Sequence, residues 1–366
     1  ILASLIGIPM AYFTSRYRIF GKKLVDNMCV MAMLSPPFIG AYAWIVLLGR
    51  AGFITGAFKH LGIVLPSIYG FKGILLVFTL KLFPYVYLYV SGALSTMDAS
   101  LEEAAENLGV SGLRKLCTIT FPLILPTILS SALMVFMTSL ADFGTPAIIG
   151  EGFKVLPVCI YDEYMSELGA GNTDFANVLS IVIIVLAMMV LVLQKKAISG
   201  RSYNMSNLRP PKVNELPFIK KLVLSIGIYF VAFLGILSQI TVAFTSFIKT
   251  SGPVFLPGFG LGSYEEAFDK MSTAIVNSFT FSLAAIVIMV VFSLLISYLI
   301  VRRSSRFTNI IDMLIMFPYV IPGSVLGVML VAAFNKPPLI LAGTPAILIL
   351  SYVIRKIPFT LRSSVG

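Results

Sequence analysis

Residues 103–122 read Glu103-Ala104-Ala105-Glu106-Asn107-Leu108-Gly109, then nine further residues, then Ile119-Thr120-Phe121-Pro122. This polar and charged stretch interrupts a chain that is otherwise almost entirely apolar. It combines helix-forming residues with a glycine that can end a helix and a proline just before the next apolar run. A segment that a hydrophobic protein keeps in water in this form is typical of a docking surface.

The spacing of these residues resembles the cytoplasmic coupling loop of ABC importer permeases. That loop has Glu-Ala-Ala, three residues, Gly, nine residues and then Ile-x-hydrophobic-Pro, and only Phe121 departs from it, because leucine is commoner there. The resemblance implies a short helix pair that lies in a groove of an ATPase subunit. The ATPase-coupling residues that it implies are Glu103, Ala104, Ala105, Gly109, Ile119 and Pro122. The alternative is an ordinary amphipathic cytoplasmic helix.

The composition indicates a membrane protein built from helices. The chain is 58% hydrophobic and 12% charged with a mean hydropathy of +0.96, whereas soluble domains carry about 25% charged residues. Apolar runs of about 20 residues recur, which is the length that crosses a bilayer as a helix. These runs do not alternate with period two, as strands of a closed barrel would. We therefore predict an all-α polytopic membrane protein, and the resemblance implies the type I ABC importer permease (methionine-permease-like) fold.

Nine hydrophobic segments are predicted, and the coupling loop gives their orientation. They lie at about 1–14, 24–49, 73–95, 121–149, 176–194, 221–246, 276–301, 309–334 and 343–361. If the loop is cytoplasmic, the inside segments are 15–23, 96–120, 195–220 and 302–308. These inside segments hold most of the Lys and Arg, as the positive-inside rule requires. The net charge of +11 therefore predicts membrane orientation and no nucleic-acid partner.

The sequence contains a parallel internal repeat. Residues 11–36 align without a gap on residues 297–322, so that Arg16 falls on Arg302, Asp26 on Asp312 and Pro36 on Pro322. The predicted domains are a first permease repeat at 1–195 with coupling loop 98–122, a linker at 196–220, and an incomplete second repeat at 221–366. Glu103 follows Pro84 by 19 residues, so a second coupling loop is expected the same distance after Pro358, beyond Gly366. The chain is accordingly expected to be truncated at both ends.

Local signals predict how the coupling helix begins and ends. Ser100 and Glu103 fit the Ser-x-x-Glu pattern of a capping box. Gly109 can take the left-handed conformation that ends a helix. Such caps predict a stiff element, which mechanical coupling requires.

Prolines and one acid within apolar segments are candidates for the translocation path. Pro36, Pro37, Pro84 and Pro322 are predicted to kink helices that line the path, although prolines are also commoner in membrane helices generally. Asp142 lies late in an apolar segment, where an acidic group is costly and is a functional candidate by default. It either faces the path or caps a helix at the outer interface, and both remain open.

The chain shows no sign of its own catalytic or metal chemistry. It has three scattered cysteines and one histidine, which gives neither a metal-ligand pattern nor a disulfide framework. It has no phosphate-binding Gly-x-x-x-x-Gly-Lys-Ser/Thr motif, so the ATPase must be a separate subunit. We expect a non-enzymatic pore with no cofactor and no metal site of its own.

The resemblance also suggests a cargo. Ser35–Trp44, Phe83–Leu88 and Ala141–Pro146 look most like the ferric-iron permease group, in which two permease halves are fused. Thiamine, aminoethylphosphonate and polyamine permeases are the alternatives. The implied partners are two copies of an ABC ATPase, an extracytoplasmic substrate-binding protein and the lipid bilayer of the bacterial inner membrane. A secondary transporter is a further alternative, but it would need ion-coupling residues within the membrane and no coupling loop.

Overall fold

The computed structural model describes residues 1–165, 173–198, 211, 213–252, 254–302, 308, 311, 314–315, 318 and 321–365. Most of the predicted linker at 196–220, together with Asp312, lies outside the described residues. The elements, in chain order, are α1 Leu2–Arg16, α2 Lys22–Met33, α3 Pro37–Leu48, α4 Phe53–His60, α5 Phe71–Thr96, α6 Ala99–Asn107, α7 Gly112–Lys115, a π-helix at Leu116–Thr120, α8 Phe121–Ala141, α9 Gly144–Ile149, α10 Leu156–Met165, α11 Thr173–Ile198, α12 Phe218–Thr245, β1 Ile248–Ser251, β2 Val254–Phe259, α13 Gly262–Arg302, α14 Gly323–Ala333 and α15 Pro345–Val365.

Six helical stretches in the described part of the chain are long and apolar enough to cross a membrane. They are Pro37–His60, Phe71–Thr96, Gly112–Ala141, Asp174–Leu193, Phe218–Thr245 and Gly262–Arg302. The prediction of an all-α polytopic membrane protein is confirmed. One small element was not predicted: β1 and β2 form an antiparallel hairpin, with Thr250 opposite Phe255.

Several predicted segments have different bounds in the structure. The segment 24–49 is divided between α2 and α3, because Ser35 and Pro36 leave the helical conformation. The segment 121–149 is likewise divided between α8 and α9 at Asp142 and Phe143. The segment 276–301 begins earlier than predicted, since α13 already starts at Gly262.

Three of the prolines that were predicted to kink helices lie instead where helices begin. Pro36 is the N-cap of α3 and Pro37 follows it in the first turn. Pro322 is the N-cap of α14, with nearly the same backbone conformation as Pro36 (φ −61°, ψ 141° for Pro36; φ −55°, ψ 141° for Pro322). Proline suits the start of a helix because its missing N–H would have had no partner there. Only Pro84 of this group lies inside a helix, α5, as predicted.

The chain divides into two compact units. The first comprises Ile1–Ser139, Gly144–Phe153 and Met189–Ala243, and the second comprises Leu140–Phe143, Lys154–Met188 and Phe244–Gly366. The first unit holds two apolar clusters, of which one is centred on Phe83, Val86 and Tyr87 of α5. The second unit holds a cluster that includes Ile183 and Val325. The division into two repeats and a linker stays a prediction.

Helix α1 packs closely on α5, from which the chain continues into the coupling segment. A stripe of small residues recurs every fourth position along α1 and is buried: Ala3, Gly7, Ala11 and Ser15. A Cβ at Gly7 would lie 2.8 Å from Val86 Cβ and 2.9 Å from the Phe83 carbonyl oxygen. Small residues let helix backbones approach closely in a membrane, where dispersion replaces the hydrophobic effect. Ser15 and Ser91 then meet through their hydroxyls at 3.3 Å near the end of α1.

Candidate functional site

The predicted coupling segment is a short helix, α6, that begins at a side-chain cap. Asp98 is the N-cap residue, and its Oδ1 accepts a hydrogen bond from the Ser100 N–H at 2.9 Å. The predicted capping box between Ser100 and Glu103 is therefore wrong, because the helix starts before Ser100. Aspartate is as good an N-cap as serine and also suits the positive end of the helix dipole.

The end of α6 is the predicted glycine stop. Gly109 has φ +78°, which is the left-handed region. The Val110 N–H donates to the Ala105 carbonyl at 2.9 Å and the Gly109 N–H donates to the Glu106 carbonyl at 2.9 Å. This pair of bonds is a Schellman motif, which satisfies carbonyls that the helix end leaves open. The predicted role of Gly109 in ending the helix is confirmed.

A π-helical turn joins α7 to the membrane helix α8. It spans Leu116–Thr120 and includes Ile119, which is half-buried, whereas Pro122 is exposed in the first turn of α8. Pro122 has no N–H to continue the helical hydrogen bonds, and the wider turn directly precedes it. The sequence predicted re-entry into the membrane at this proline but gave no signal of the wider turn.

One side of α6 packs inward and the other presents apolar side chains to solvent. Ala105 is 3% exposed and Glu103 is half-buried, whereas Ala104 is exposed. Leu101 is 46% and Leu108 is 83% exposed, and with Ala104 they follow the three- and four-residue spacing that places side chains on one helix face. Leu113, at the start of α7, is 79% exposed. The helix pair thus has four exposed apolar side chains, Leu101, Ala104, Leu108 and Leu113.

Charged side chains fix this helix pair. Lys115 on α7 donates to Glu106 on α6 at 2.6 Å, which bridges the two short helices. Arg16, at the end of α1, donates from Nη2 to Glu102 Oε1 at 2.7 Å, and both side chains are largely buried. Thr120 donates to the same Glu102 oxygen at 3.2 Å. Glu102 therefore connects α6 to α1 and to the π-helical turn.

The sequence did not identify Arg16, Glu102 or Thr120 as site residues. The internal repeat aligns Arg16 with Arg302, but no role at this site was predicted for either Arg16 or Glu102. The pair is separated by 86 residues, so no local pattern relates them. A buried arginine at the end of an apolar helix requires an acidic partner, but the sequence did not indicate which acid.

The predicted path residues are distributed over the two units. In the first unit, the start of α3 borders a cavity of about 10 Å³ with Ser35, Pro37 and Lys81 among its lining residues, which is room for one water molecule. Pro84 is buried in the same unit. Their role in a path stays a prediction.

In the second unit, Asp142 lies between α8 and α9 and is 7% exposed. It interacts electrostatically with Arg355 of α15. The Arg355 guanidinium also lies directly against Gly323, next to Pro322, because a Cβ on that glycine would overlap it. Within this unit, Asp142 and Pro322 are thus related through Arg355, which was not predicted as a site residue.

Among the described residues, no group of three or more His, Cys, Asp or Glu side chains could hold a metal ion. The described residues therefore include no cluster of such side chains that could select a metal cargo.

Comparison with known proteins finds a family model and several relatives that match this chain. A family model described as "Binding-protein-dependent transport system inner membrane component" matches residues 3–200. The ferric transport system permease protein FbpB of Actinobacillus pleuropneumoniae is 26% identical over all of this chain and 54% of its own length. The putative ferric transport system permease protein FbpB 1 of Haemophilus influenzae is 27% identical over all of this chain and 59% of its own length.

A shorter relative matches half of the chain. The molybdenum transport system permease protein ModB of Haemophilus influenzae is 30% identical over 50% of this chain and 82% of its own length. The chain spans less than two thirds of the length of the two ferric permeases that it matches throughout.

Proposed function

This chain belongs to the family of binding-protein-dependent transport system inner membrane components, and from that premise we propose that it is the membrane subunit of an ATP-driven importer. It is a multi-pass protein of the bacterial inner membrane, and its matched relatives are transport permeases. In the proposed mechanism an extracytoplasmic binding protein delivers cargo from outside. Two separate ABC ATPases bind coupling segments inside, and their closure on ATP changes which side of the membrane the path faces.

The observation that carries this proposal is the set of exposed apolar side chains Leu101, Ala104, Leu108 and Leu113, which we call the apolar docking face. A segment with this many exposed leucines in water favours a protein partner, because each buried leucine contributes about 1.5–3 kcal/mol. The face lies on helices whose ends and mutual contact are fixed by Asp98, Gly109 and the Glu106–Lys115 pair. A stiff element of this kind transmits a displacement of its partner into the membrane helices.

Capture of the ATPase tests the docking face. In the full-length protein expressed with its ABC ATPase subunit, Leu108→Glu should reduce ATPase co-purification at least tenfold, because a charge would replace the centre of the face. Leu61→Glu is the matched control, since Leu61 is also an exposed leucine (73%) but lies in a predicted outer segment. Equal ATPase capture by both variants would refute docking at this face.

The cargo that we propose is ferric iron. Support comes from the two ferric permeases that match the whole chain, whereas the molybdenum permease matches half of it. Thiamine, aminoethylphosphonate and polyamines are the alternatives from the sequence resemblance, and molybdate is added by the comparison. Ferric iron is the substrate in this proposal, and a substrate requires no resident metal site in the membrane subunit.

Uptake by the reconstituted importer distinguishes these cargoes. The full-length permease, its ATPase and its binding protein would be placed in proteoliposomes and supplied with radiolabelled iron, molybdate, thiamine or spermidine. ATP-dependent accumulation of iron alone is the expected result. Accumulation of another cargo without iron would contradict the iron proposal and leave the importer proposal intact.

A further inference from the structure

The buried pair of Arg16 and Glu102 connects the coupling helix to the membrane helices. The two side chains are 5% and 15% exposed, and Arg16 Nη2 lies 2.7 Å from Glu102 Oε1. Met97 Sδ, 3.9 Å from the same Nη2, is the other acceptor for this side chain. Arg16 Nε and Nη1 are buried with no hydrogen-bond partner in the described part of the chain. An arginine with most of its N–H donors unpaired contributes little to the stability of the fold.

The position of this pair relates it to movement of the coupling segment. The helix α6 follows α5 with only Met97 and Asp98 between them, so α5 already holds its first turn covalently. Arg16 adds a second attachment, from the end of α1. Since α1 and α5 are tightly packed through Gly7, two attachments to this helix pair prevent α6 from turning independently of it.

The C-terminal end of α1 also forms hydrogen bonds with the segment that leads into α12. The Asn214 N–H donates to the Arg16 carbonyl at 2.9 Å, and the Arg18 N–H donates to the Asn214 carbonyl at 3.1 Å. The Phe20 N–H donates to Ser225 Oγ of α12 at 3.2 Å. A displacement of α6 that reaches Arg16 is therefore passed to α12 as well as to α1.

We propose that Arg16 is a positioning residue for coupling, which acts through Glu102 to make α6 move together with α1 and α5. The proposal rests on the proposed function, because it assumes that an ATPase displaces α6. If the pair only stabilised the fold, an apolar pair of similar volume would replace it without loss, as is common for buried ion pairs. If it fixes the orientation of α6, an apolar pair would restore stability but not transport.

The test uses the full-length permease reconstituted with its ATPase and binding protein. In the double variant R16M/E102L, we expect unchanged ATPase capture, because the docking face is untouched. The unfolding temperature should fall only by the small amount that the loss of the Thr120 hydrogen bond to Glu102 explains. Uptake driven by the binding protein should fall at least tenfold. R16K keeps the charge that contacts Glu102 and should retain several-fold more uptake than R16M.

The exposed pair of Arg18 and Glu215 is the matched control. It has the same 2.7 Å separation but its side chains are 69% and 62% exposed, so R18A/E215A should leave uptake within twofold of the unmodified protein. The proposal would be overturned if uptake by R16M/E102L stayed within twofold of the unmodified protein. It would also be overturned if R16K took up no more cargo than R16M, and this second comparison decides the question if the double variant is unstable. If the unmodified protein captured no ATPase, the proposed function itself would fail, which is a separate outcome.

Discussion

Gly109 takes a backbone conformation that other residues adopt only at a cost. Its φ of +78° is left-handed, and an L-residue with a Cβ loses about 1–2 kcal/mol there. Apart from its two chain neighbours, nothing lies within 4 Å of a Cβ built on it, so the cost of a substitution is conformational.

Gly109→Ala should therefore loosen the end of α6 without disturbing the fold. Loss of ~1–2 kcal/mol at the helix end should speed hydrogen exchange of the Val110 amide, which donates to Ala105, by about 5–30-fold. Exchange measured by mass spectrometry on the purified full-length protein reports this directly. Gly92→Ala is the control, because Gly92 is an exposed glycine within α5 with free space around its Cβ position. Identical exchange near Val110 in both variants would contradict the assignment.

At this scale, what the sequence could predict depended on distance along the chain. Gly109 was predictable because its role is set by the preceding turn of helix. The N-cap was wrongly assigned to Ser100 because Asp98, two residues earlier, can also cap a helix. Asp98 lies where the chain leaves α5. Arg16 and Glu102 could not be paired from sequence, since only the packing of α1 on α5 brings them together.

At the scale of elements, the α1–α5 contact depends on residues that contribute very little side-chain volume. Ala3, Gly7 and Ala11 are buried against α5, and apolarity alone would not distinguish this face from the lipid-facing side of α1. The stripe is visible in the sequence as small residues at every fourth position. The partner helix is not visible in it, since any apolar helix could supply Phe83 and Val86.

Gly7→Ala should separate α1 from α5 and destabilise the first unit. The added methyl would lie 2.8 Å from Val86 Cβ and 2.9 Å from the Phe83 carbonyl oxygen, and overpacking of this kind costs about 1–3 kcal/mol. A lower unfolding temperature in detergent is the expected measurement. Gly227→Ala is the control, because Gly227 of α12 is exposed with nothing within 4 Å of its Cβ position. If Gly7→Ala melted no lower than Gly227→Ala, the close approach would be wrong.

The positions of the helix breaks were predicted, but their backbone geometry was not. Prolines in apolar segments were interpreted as kinks, since a proline in a helix interior removes a hydrogen bond. Two consecutive prolines at Pro36 and Pro37 instead end one helix and start another, because the residue before a proline disfavours the helical conformation. Pro84 differs in being a single proline, and α5 continues through it.

At the scale of the whole molecule, the orientation in the membrane is predicted from charge and from the coupling segment. The excess of Lys and Arg in 15–23, 96–120 and 195–220 and the proposed ATPase docking face both assign residues 96–120 to the cytoplasm. Neither signal depends on the other, and a measurement on residues already in the chain can test their agreement.

Cys117 provides that measurement, because it is an exposed cysteine in the segment assigned to the cytoplasm. In the full-length protein with every other cysteine replaced, and without its ATPase, a membrane-impermeant maleimide should label Cys117 only after the cells are permeabilised. Its thiol is accessible to water, so failure to react in intact spheroplasts would reflect the membrane barrier. The companion variant carries Val64→Cys in place of Cys117, since Val64 is 91% exposed in a segment assigned to the outside, and it should react in intact spheroplasts. Labelling of Cys117 in intact spheroplasts, with protection of the cysteine at position 64, would reverse the orientation. It would also place the docking face out of reach of any cytoplasmic ATPase.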